Sequence, residues 1–317
     1  MNNKNNNIYE IKSPIIDENL DLDQFIQQLK YCGFGAGRIS KAVEILYEMV
    51  LDEDTTKFFG LAGAMVPAGM RSIISNMMLD GYINVLVTTG ANLVHDIIES
   101  LGLHHYLYSE KKNDRELYDN NMNRIYDVYL PDSNFLSLET FLQNAIDNIN
   151  TKKPISIKYF LEKLGEQIKD NKSILKTAYD LNIPIFCPAF PDSVIGLQSY
   201  LYKELNTLVI DSIGDMHDFI DLCWSSKKAG AFFVGGGVPK NYIFQSMLIT
   251  PKKFDYAIQL TMDSPQTGGL SGATLDEAIS WGKVDKNAKY VTVYSDATIT
   301  LPLIYASVKS RINKINR

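Results

Sequence analysis

The chain has 317 residues, 45% of them hydrophobic and 21% charged, the composition of an ordinary globular protein able to bury a large core. Its formal net charge is −6 and its basic residues are scattered, so a phosphate backbone finds no footprint and no nucleic-acid partner is expected. No run reaches the roughly 18 apolar residues of a membrane span, and the start MNNKNNNIYEIKSP lacks a signal peptide's apolar segment, so a cytoplasmic location without membrane contact is expected.

The Asn-rich start is too polar to pack, and residues 1–18 are expected to be disordered, with one α/β domain over 19–317. Helical signals dominate the first eighty residues. SKAVEILYEMVLDE from Ser40 places Val43, Leu46, Tyr47 and Val50 on one face, and PAGMRSIISNMML from Pro67 opens with a residue suited to a helix's first turn. Short apolar runs then alternate with helix-length segments: INVLVTT (83–89), IPIFCPA (183–189), TLVID (207–211), AGAFFVGG (229–236), DYAIQLTM (255–262) and YVTVYSD (290–296). This alternation predicts an α/β fold with a Rossmann-like, mostly parallel sheet, helices on both faces and a helical N-terminal extension. The polar stretch SEKKNDRELYDNNMNR (109–124) reads as an exposed excursion. Cys32, Cys187 and Cys223 are widely spaced without a C-x-x-C pattern and read as buried thiols. His104 and His105 read as a surface pair, since no further ligand cluster follows them, and no metal is expected.

In an open parallel sheet, ligands bind where the strands run out at their carboxyl ends. The residues immediately after the apolar runs are Thr88, Thr89, Gly90, Ala91 and Asn92; Asp192; Asp211; Gly235, Gly236 and Gly237; SPQTGGLSGA (264–273); and Asp296, Ala297 and Thr298. Small residues let backbone N–H groups approach a phosphate, and a nearby carboxylate can hold ribose hydroxyls. Each glycine run taken alone also fits a tight turn, since none follows G-x-G-x-x-G. The segment LDEAISWGKVD (275–285) adds a different chemistry. An amine pressed against the Trp281 indole is costly to keep charged, so the pKa of Lys283 is expected to fall and its nucleophilicity to rise. Glu277 is a candidate to hold a cationic substrate or move protons. The alternative makes Trp281 a core anchor and Lys283 a charge at a helix C-terminus.

With these residues in view, the chain resembles the deoxyhypusine synthase family from about Gly33 to Arg311. The most specific match is DEAISWGKV, with Lys283 at the family's catalytic lysine; VLVTTGAN (85–92), IPIFCPAFPDS (183–193), GGGVPK (235–240) and YSDAT (294–298) follow in the family's order. The resemblance implies an NAD-dependent aminobutyl transferase. Bound NAD oxidises a polyamine such as spermidine, Lys283 takes the aminobutyl group as an imine, and the group passes to a lysine of translation factor 5A or to a free amine such as putrescine. It further implies a homotetramer with active sites across a dimer interface. Thr88, Thr89, Gly90, Asp192, Gly236, Gly237, Ser271, Asp296 and Ala297 fall at NAD-lining positions, and Glu277 and Trp281 at amine-binding ones.

Other positions depart from the family. Ala64 in LAGAMVP (61–67) replaces an asparagine, Val94 and His95 replace paired glutamates, and Leu197, Asn241 and Leu270 replace an aspartate, a histidine and an aspartate. Burying a polycation needs carboxylates, each worth roughly a few kcal/mol when buried, so an amine shorter or less charged than spermidine is expected. His95 and Asn241 remain candidate substrate contacts, and His95 with Asp96 a candidate proton relay, against a reading in which His95 merely packs. The competing functional readings are a homospermidine synthase-type enzyme, a transferase using another amine, a non-catalytic nucleotide-binding relative, and a small-amine dehydrogenase that releases NADH.

Overall fold

The computed structural model describes residues 9–108 and 112–315. The first eight residues of the Asn-rich start and residues 109–111 of the polar stretch lie outside the described residues.

Six parallel strands form the central sheet: β1 Thr55–Leu61, β2 Val85–Thr88, β3 Ile185–Phe186, β4 Lys228–Val234, β5 Phe254–Thr261 and β6 Val284–Tyr294. Their spatial order is β3-β2-β1-β4-β5-β6. The chain grows outward from β1 to β3, then restarts on the other side of β1, so the order reverses between β1 and β4. Successive strand residues face opposite sides: Phe58, Val87, Phe186 and Phe233 enter one core, Phe59, Leu86, Ile185 and Phe232 the other.

Helices cover both faces, as the alternation predicts. The larger core packs α1 Leu22–Gln28, α2 Phe34–Leu51, α3 Arg71–Leu79, α4 Gly90–Ser100, α5 Asp132–Asp147, α6 Ile157–Gln167, α7 Ile174–Asp180 and α8 Val194–Leu205. The smaller packs α9 Asp215–Ser225, α10 Gly237–Met247 and α11 Leu275–Ser280, while α12 Ala297–Ile315 returns to the first face. Asp23 of α1, buried, accepts hydrogen bonds from Ser307 and Arg311 of α12, which ties the helical lead-in to the C-terminal helix.

Several expectations change. Residues 55–61, taken as part of a helical lead-in, form β1 at the centre of the sheet. A strand buried on both faces shows no alternation, and TTKFFGL lies between two helical patterns that mask it. The run 207–211 contributes only Ile210–Asp211, paired with Ile155–Ser156 in a separate two-stranded sheet, so Asp211 is absent from the main sheet's edge. Its carboxylate instead accepts from the N–H groups of Ile213 and Gly214. The helix expected from Pro67 becomes regular only at Arg71, because Gly69 sits in the left-handed region at φ 87°. The polar excursion holds a small antiparallel sheet, Tyr106–Leu107, Met122–Ile125 and Val128–Pro131, and a short helix, Asp114–Asp119. Cys187 and Cys223 are buried as expected, but Cys32 is half-buried with its Sγ 3.5 Å from the Lys12 carbonyl.

One buried carboxylate holds α4 in place. Asp96 pairs with Arg71 Nε at 2.6 Å and accepts from Ser173 Oγ at 2.7 Å and from the N–H groups of Ile174 and Leu175 at 3.0 Å, binding α4 to α3 and to the start of α7. Removing it leaves Arg71 Nε, the Ser173 hydroxyl and two helix N–H groups without their acceptor, while Arg71 keeps only the half-buried Asp170 as an ion-pair partner among the described residues. Asp96→Ala is expected to lower the unfolding free energy by about 3–5 kcal/mol in denaturant titrations; a loss below about 1 kcal/mol, the worth of an exposed pair, would contradict this role.

Candidate active site

The six strands run out along one edge, and the chain lines that edge with small and hydroxylated residues. Thr88 ends β2 and Gly90 opens α4. Asn92, buried in the first turns of α4, has its Nδ2 2.9 Å from the Gly63 carbonyl and 3.3 Å from Thr89 Oγ1, and its Oδ1 accepts the Val66 N–H at 3.2 Å. The turn after β2 is thereby braced against the loop after β1. A Cβ on Gly90 would stand 2.4 Å from Ser193, so the turn carrying Asp192 lies directly against the turn carrying Thr88 and Thr89.

The same close approach recurs across the switch point. Gly235 and Gly237, at φ 74° and 56°, turn the chain from β4 into α10, and a Cβ on Gly236 would stand 2.4 Å from Ser271 Cα. Gln259 of β5, fully buried, donates to the carbonyls of Gly235 at 3.1 Å and Ser271 at 2.8 Å and fixes both loops. Past β6, Asp296 accepts from the N–H and the hydroxyl of Thr298, each at 2.8 Å, ahead of α12. The structure therefore ranges Asp296 and Ala297, Ser271, Gly236 and Gly237, Thr88, Thr89 and Gly90, and Asp192 along one edge, in strand order. Helices α4, α10 and α12 start there with first-turn N–H groups that no carbonyl of their own helix can reach. Periodicity missed β1 and so the place of residues 62–64 on this edge; the family resemblance alone pointed to LAGAMVP (61–67), as a departure at Ala64.

Lys283 lies elsewhere. It follows Gly282, at φ 72°, and sits at the amino end of β6, where its carbonyl accepts the Phe254 N–H at 3.1 Å. Its side chain lines a groove of about 380 Å³ between α10 and α11, with Lys240, Asn241, Phe244, Leu270, Glu277 and Trp281 among the lining residues. Leu270, on the wall of this groove, precedes Ser271 of the carboxyl edge in sequence. Glu277, Trp281, Asn241 and Lys283 are thus brought together. Asn241 Nδ2 donates to Gln245 Oε1 at 3.1 Å.

The enclosure expected of Lys283 is not found. Trp281 is 64% exposed, Lys283 is half-buried, and its Nζ stands 5.5 Å from the indole centroid, so the ring covers one side of the amine and anchors no core. The desolvated amine of this groove is Lys240, in the GGGVPK segment. Its Nζ donates to Gln259 Oε1 at 2.9 Å and to the carbonyls of Leu270 and Ala273. Burial pushes its pKa down to about 8, assisted by the charge of Lys283 and opposed by Glu277.

His95 is on the other face of the sheet, on α4, and within one chain it does not join the Lys283 groove. Asp96 is not its relay partner, being committed to Arg71 and α7. Its Nδ1 instead lies 2.8 Å from His105 Nε2, and His105 Nδ1 lies 2.6 Å from Glu99 Oε1. The His105 ring is therefore largely covered, its side chain 6% exposed within a half-buried residue, while His104 is exposed. Among the described residues no group of three or more His, Cys, Asp or Glu is arranged to hold a metal ion. Of the other altered positions, Val94 is in the core, Leu197 is exposed on α8, Leu270 lines the Lys283 groove and Ala64 lines a second groove beside Glu99 and His105.

Comparison with known proteins places this architecture. The sequence model of deoxyhypusine synthase matches residues 24–308. "Probable deoxyhypusine synthase" of Methanosarcina thermophila is 58% identical over 304 residues, covering 96% of each chain, and "Probable deoxyhypusine synthase 1" of Archaeoglobus fulgidus is 45% identical over 302 residues, covering 95% of this chain and 98% of its own. The crystal structure of a "putative deoxyhypusine synthase" from Entamoeba histolytica shares the fold at a TM-score of 0.69 and 18% identity, covering 95% of this chain and 97% of its own. The chain belongs to the deoxyhypusine synthase family and is with it a transferase. Among the described residues no helix is long and apolar enough to cross a membrane.

The buried amine of Lys240 has a measurable consequence. Its folded pKa is lowered, so the folded state binds fewer protons than the unfolded chain between pH 8 and 10.5. Stability is expected to rise with pH across that window by up to about 3 kcal/mol, and this contribution declines as pH falls toward 8. Lys240→Met should flatten the rise; parallel pH–stability curves for the two proteins would contradict it.

Proposed function

We propose that this chain is an NAD-dependent aminoalkyl transferase in which Lys283 carries the transferred group as an imine. The observation that carries the reading is the groove that brings Lys283, Trp281, Glu277 and Lys240 together, with Leu270 on its wall next in sequence to Ser271 of the glycine-lined edge. That edge fits a dinucleotide. The left-handed glycines keep side chains away from the approach, the starts of α4 and α10 offer N–H groups to phosphate oxygens, and Asp192 and Asp296 stand along the same edge for ribose hydroxyls. Thr88, Thr89, Gly90, Asp192, Gly236, Gly237, Ser271, Asp296 and Ala297 would hold the cofactor. When bound, NAD supplies the two-electron oxidation of a carbon next to an amine and later the reverse reduction.

The remaining work belongs to the chain's own residues. Trp281 holds the Lys283 ammonium over its ring, an attraction of roughly 0.5–1 kcal/mol at an exposed site, and keeps it within the groove. Glu277, a carboxylate on the same wall, takes a proton from that ammonium. Once the donor is at the imine level, the neutral Nζ attacks its carbon, the C–N bond to the departing amine breaks, and that amine leaves with a proton. Attack by an acceptor amine then frees Lys283. The acceptor is a protein lysine, as on translation factor 5A, or a free amine.

The lining residues set two amines, Lys240 and Lys283, against one carboxylate, Glu277, with Phe244, Leu248 and Leu270 as apolar walls. Such a groove disfavours a polycation and supports a donor shorter or less charged than spermidine. The exposed indole of Trp281 supports a homo-oligomer in which a second copy closes the site.

An amine-dependent, transient rise of reduced-nicotinamide absorbance, without net accumulation, tests the reading. Lys283→Ala is expected to bind NAD normally and to lose group transfer. Full transfer by that variant would sink the mechanism, and steady accumulation of reduced cofactor by the wild-type chain would make it an amine dehydrogenase.

A further inference from the structure

An amine reaches an enzyme as an ammonium ion, which has no lone pair to support oxidation at the adjacent carbon. A proton acceptor is needed before that step and a proton donor after it. On the face of the sheet opposite Lys283, three side chains form an unbroken hydrogen-bonded line that the reaction outlined above does not use.

The order of donors in this line follows from its last member. Burial alone would raise the pKa of Glu99, but the His105 ring and the charge of Arg71 hold it below the usual carboxylate range, so Glu99 is an anion that only accepts. His105 Nδ1 therefore donates to Glu99 Oε1 at 2.6 Å, and the Glu99 oxygen also faces the His105 N–H at 3.4 Å. Neutral His105 then offers a lone pair on Nε2, and His95 Nδ1 donates to it at 2.8 Å. This leaves a lone pair on His95 Nε2. Among the described residues that atom has no hydrogen-bond partner, and among them the fully buried side-chain polar atoms without partners are only the hydroxyls of Thr55 and Thr177. His95 Nε2 is thus not fully sealed from solvent, although the residue is only 8% exposed. At the other end, Glu99 and His105 line a groove of about 690 Å³ together with Ala64, Arg71, Asp296 and Thr298, so the line adjoins the strand-end edge.

We propose that Glu99, His105 and His95 form a proton relay, beside the carboxyl edge at its Glu99 end, that deprotonates the amine donor at His95 Nε2 and returns the proton to the departing amine. The proposal rests on the transferase reading. In the forward direction the ammonium N–H breaks and a new N–H forms at His95 Nε2. The Nδ1 proton of His95 moves to His105 Nε2, and the resulting imidazolium is neutralised by Glu99. One proton leaves the donor and one is gained by the pair of rings; the reverse passage supplies the leaving amine. Burial and the facing His105 ring push the pKa of His95 down to about 4, against the pull of Glu99, so His95 passes a proton on rather than keeping it. The other charged groups facing the line are Arg71 and, 3.7 Å from Glu99 Oε2, His104.

Two measurements on the full chain in its native assembly test the relay. Long-range proton–nitrogen NMR should show the Nδ1–H tautomer for both His95 and His105 at neutral pH, with His95 resisting protonation to well below pH 6; an Nε2–H tautomer or an ordinary titration for His95 would overturn the arrangement. Rapid mixing should show the amine-dependent reduction of NAD slowed by about a hundredfold in His105→Phe and Glu99→Gln, the scale of general-base catalysis. The acid limb of the rate profile should be displaced in both, NAD affinity retained, and the His105→Phe rate partly restored by added imidazole. Unchanged rates and profiles in both variants would overturn the relay while the wild-type transient leaves the transferase reading standing. Absence of that transient in the wild-type chain brings down the transferase reading, and the relay's task with it.

Discussion

A parallel sheet must be covered on both faces, and this requirement governs the molecule. Strand β1 starts in the middle, so the chain covers one face on its way out to β3 and the other on its way from β4 to β6. The change of direction leaves the ends of β1 and β4 side by side with no connection crossing them, which is where the glycine turns gather. It also assigns the titratable groups to sides. Lys283, Lys240 and Glu277 belong to the face of α10 and α11, and the Glu99–His105–His95 line to the face of α4. The two groups meet only at the carboxyl edge of their own chain or across a boundary with a second copy.

The buried amides show how the edge is kept rigid. Asn92 ties the turn after β2 to the loop after β1, and Gln259 ties the turns after β4 and β5 to each other while accepting from Lys240. Each satisfies backbone groups that would otherwise be stranded in the interior at a cost of roughly 1–3 kcal/mol. Lys240 belongs to the same system, since its contacts with the Leu270 and Ala273 carbonyls hold the loop that carries Ser271 between the Lys283 groove and the strand-end edge. This is why a lysine can be buried here without an ion-pair partner among the described residues.

Much of the fold was legible in the sequence because parallel strands read as apolar runs and their helices as periodic ones. Five of the six main strands coincide with such runs. The exception, Thr55–Leu61, carries a lysine and lies between two helical segments, so neither alternation nor an uninterrupted apolar run marks it. The strand-end residues were legible because connectivity alone puts them on one edge. Lys283 was legible as a position but not as an environment: the left-handed turn at Gly282 leaves Trp281 in solvent, and adjacency in sequence said nothing of Lys240, whose burial depends on a loop thirty residues further on. His105 was misjudged for a similar reason. Its partners, Glu99 and His95, lie back along the preceding helix, and only the path of the chain after α4 returns the ring to them.

The central claim is that Lys283 becomes covalently attached to part of an amine substrate. The most direct test is borohydride trapping after incubation with NAD and, separately, spermidine, putrescine, agmatine and homospermidine, followed by peptide mass mapping. The account predicts a stable adduct on the peptide containing Lys283, with a mass that names the transferred group, and a better yield from the less charged amines. Demonstrated NAD binding with an unmodified Lys283 in every incubation would contradict it.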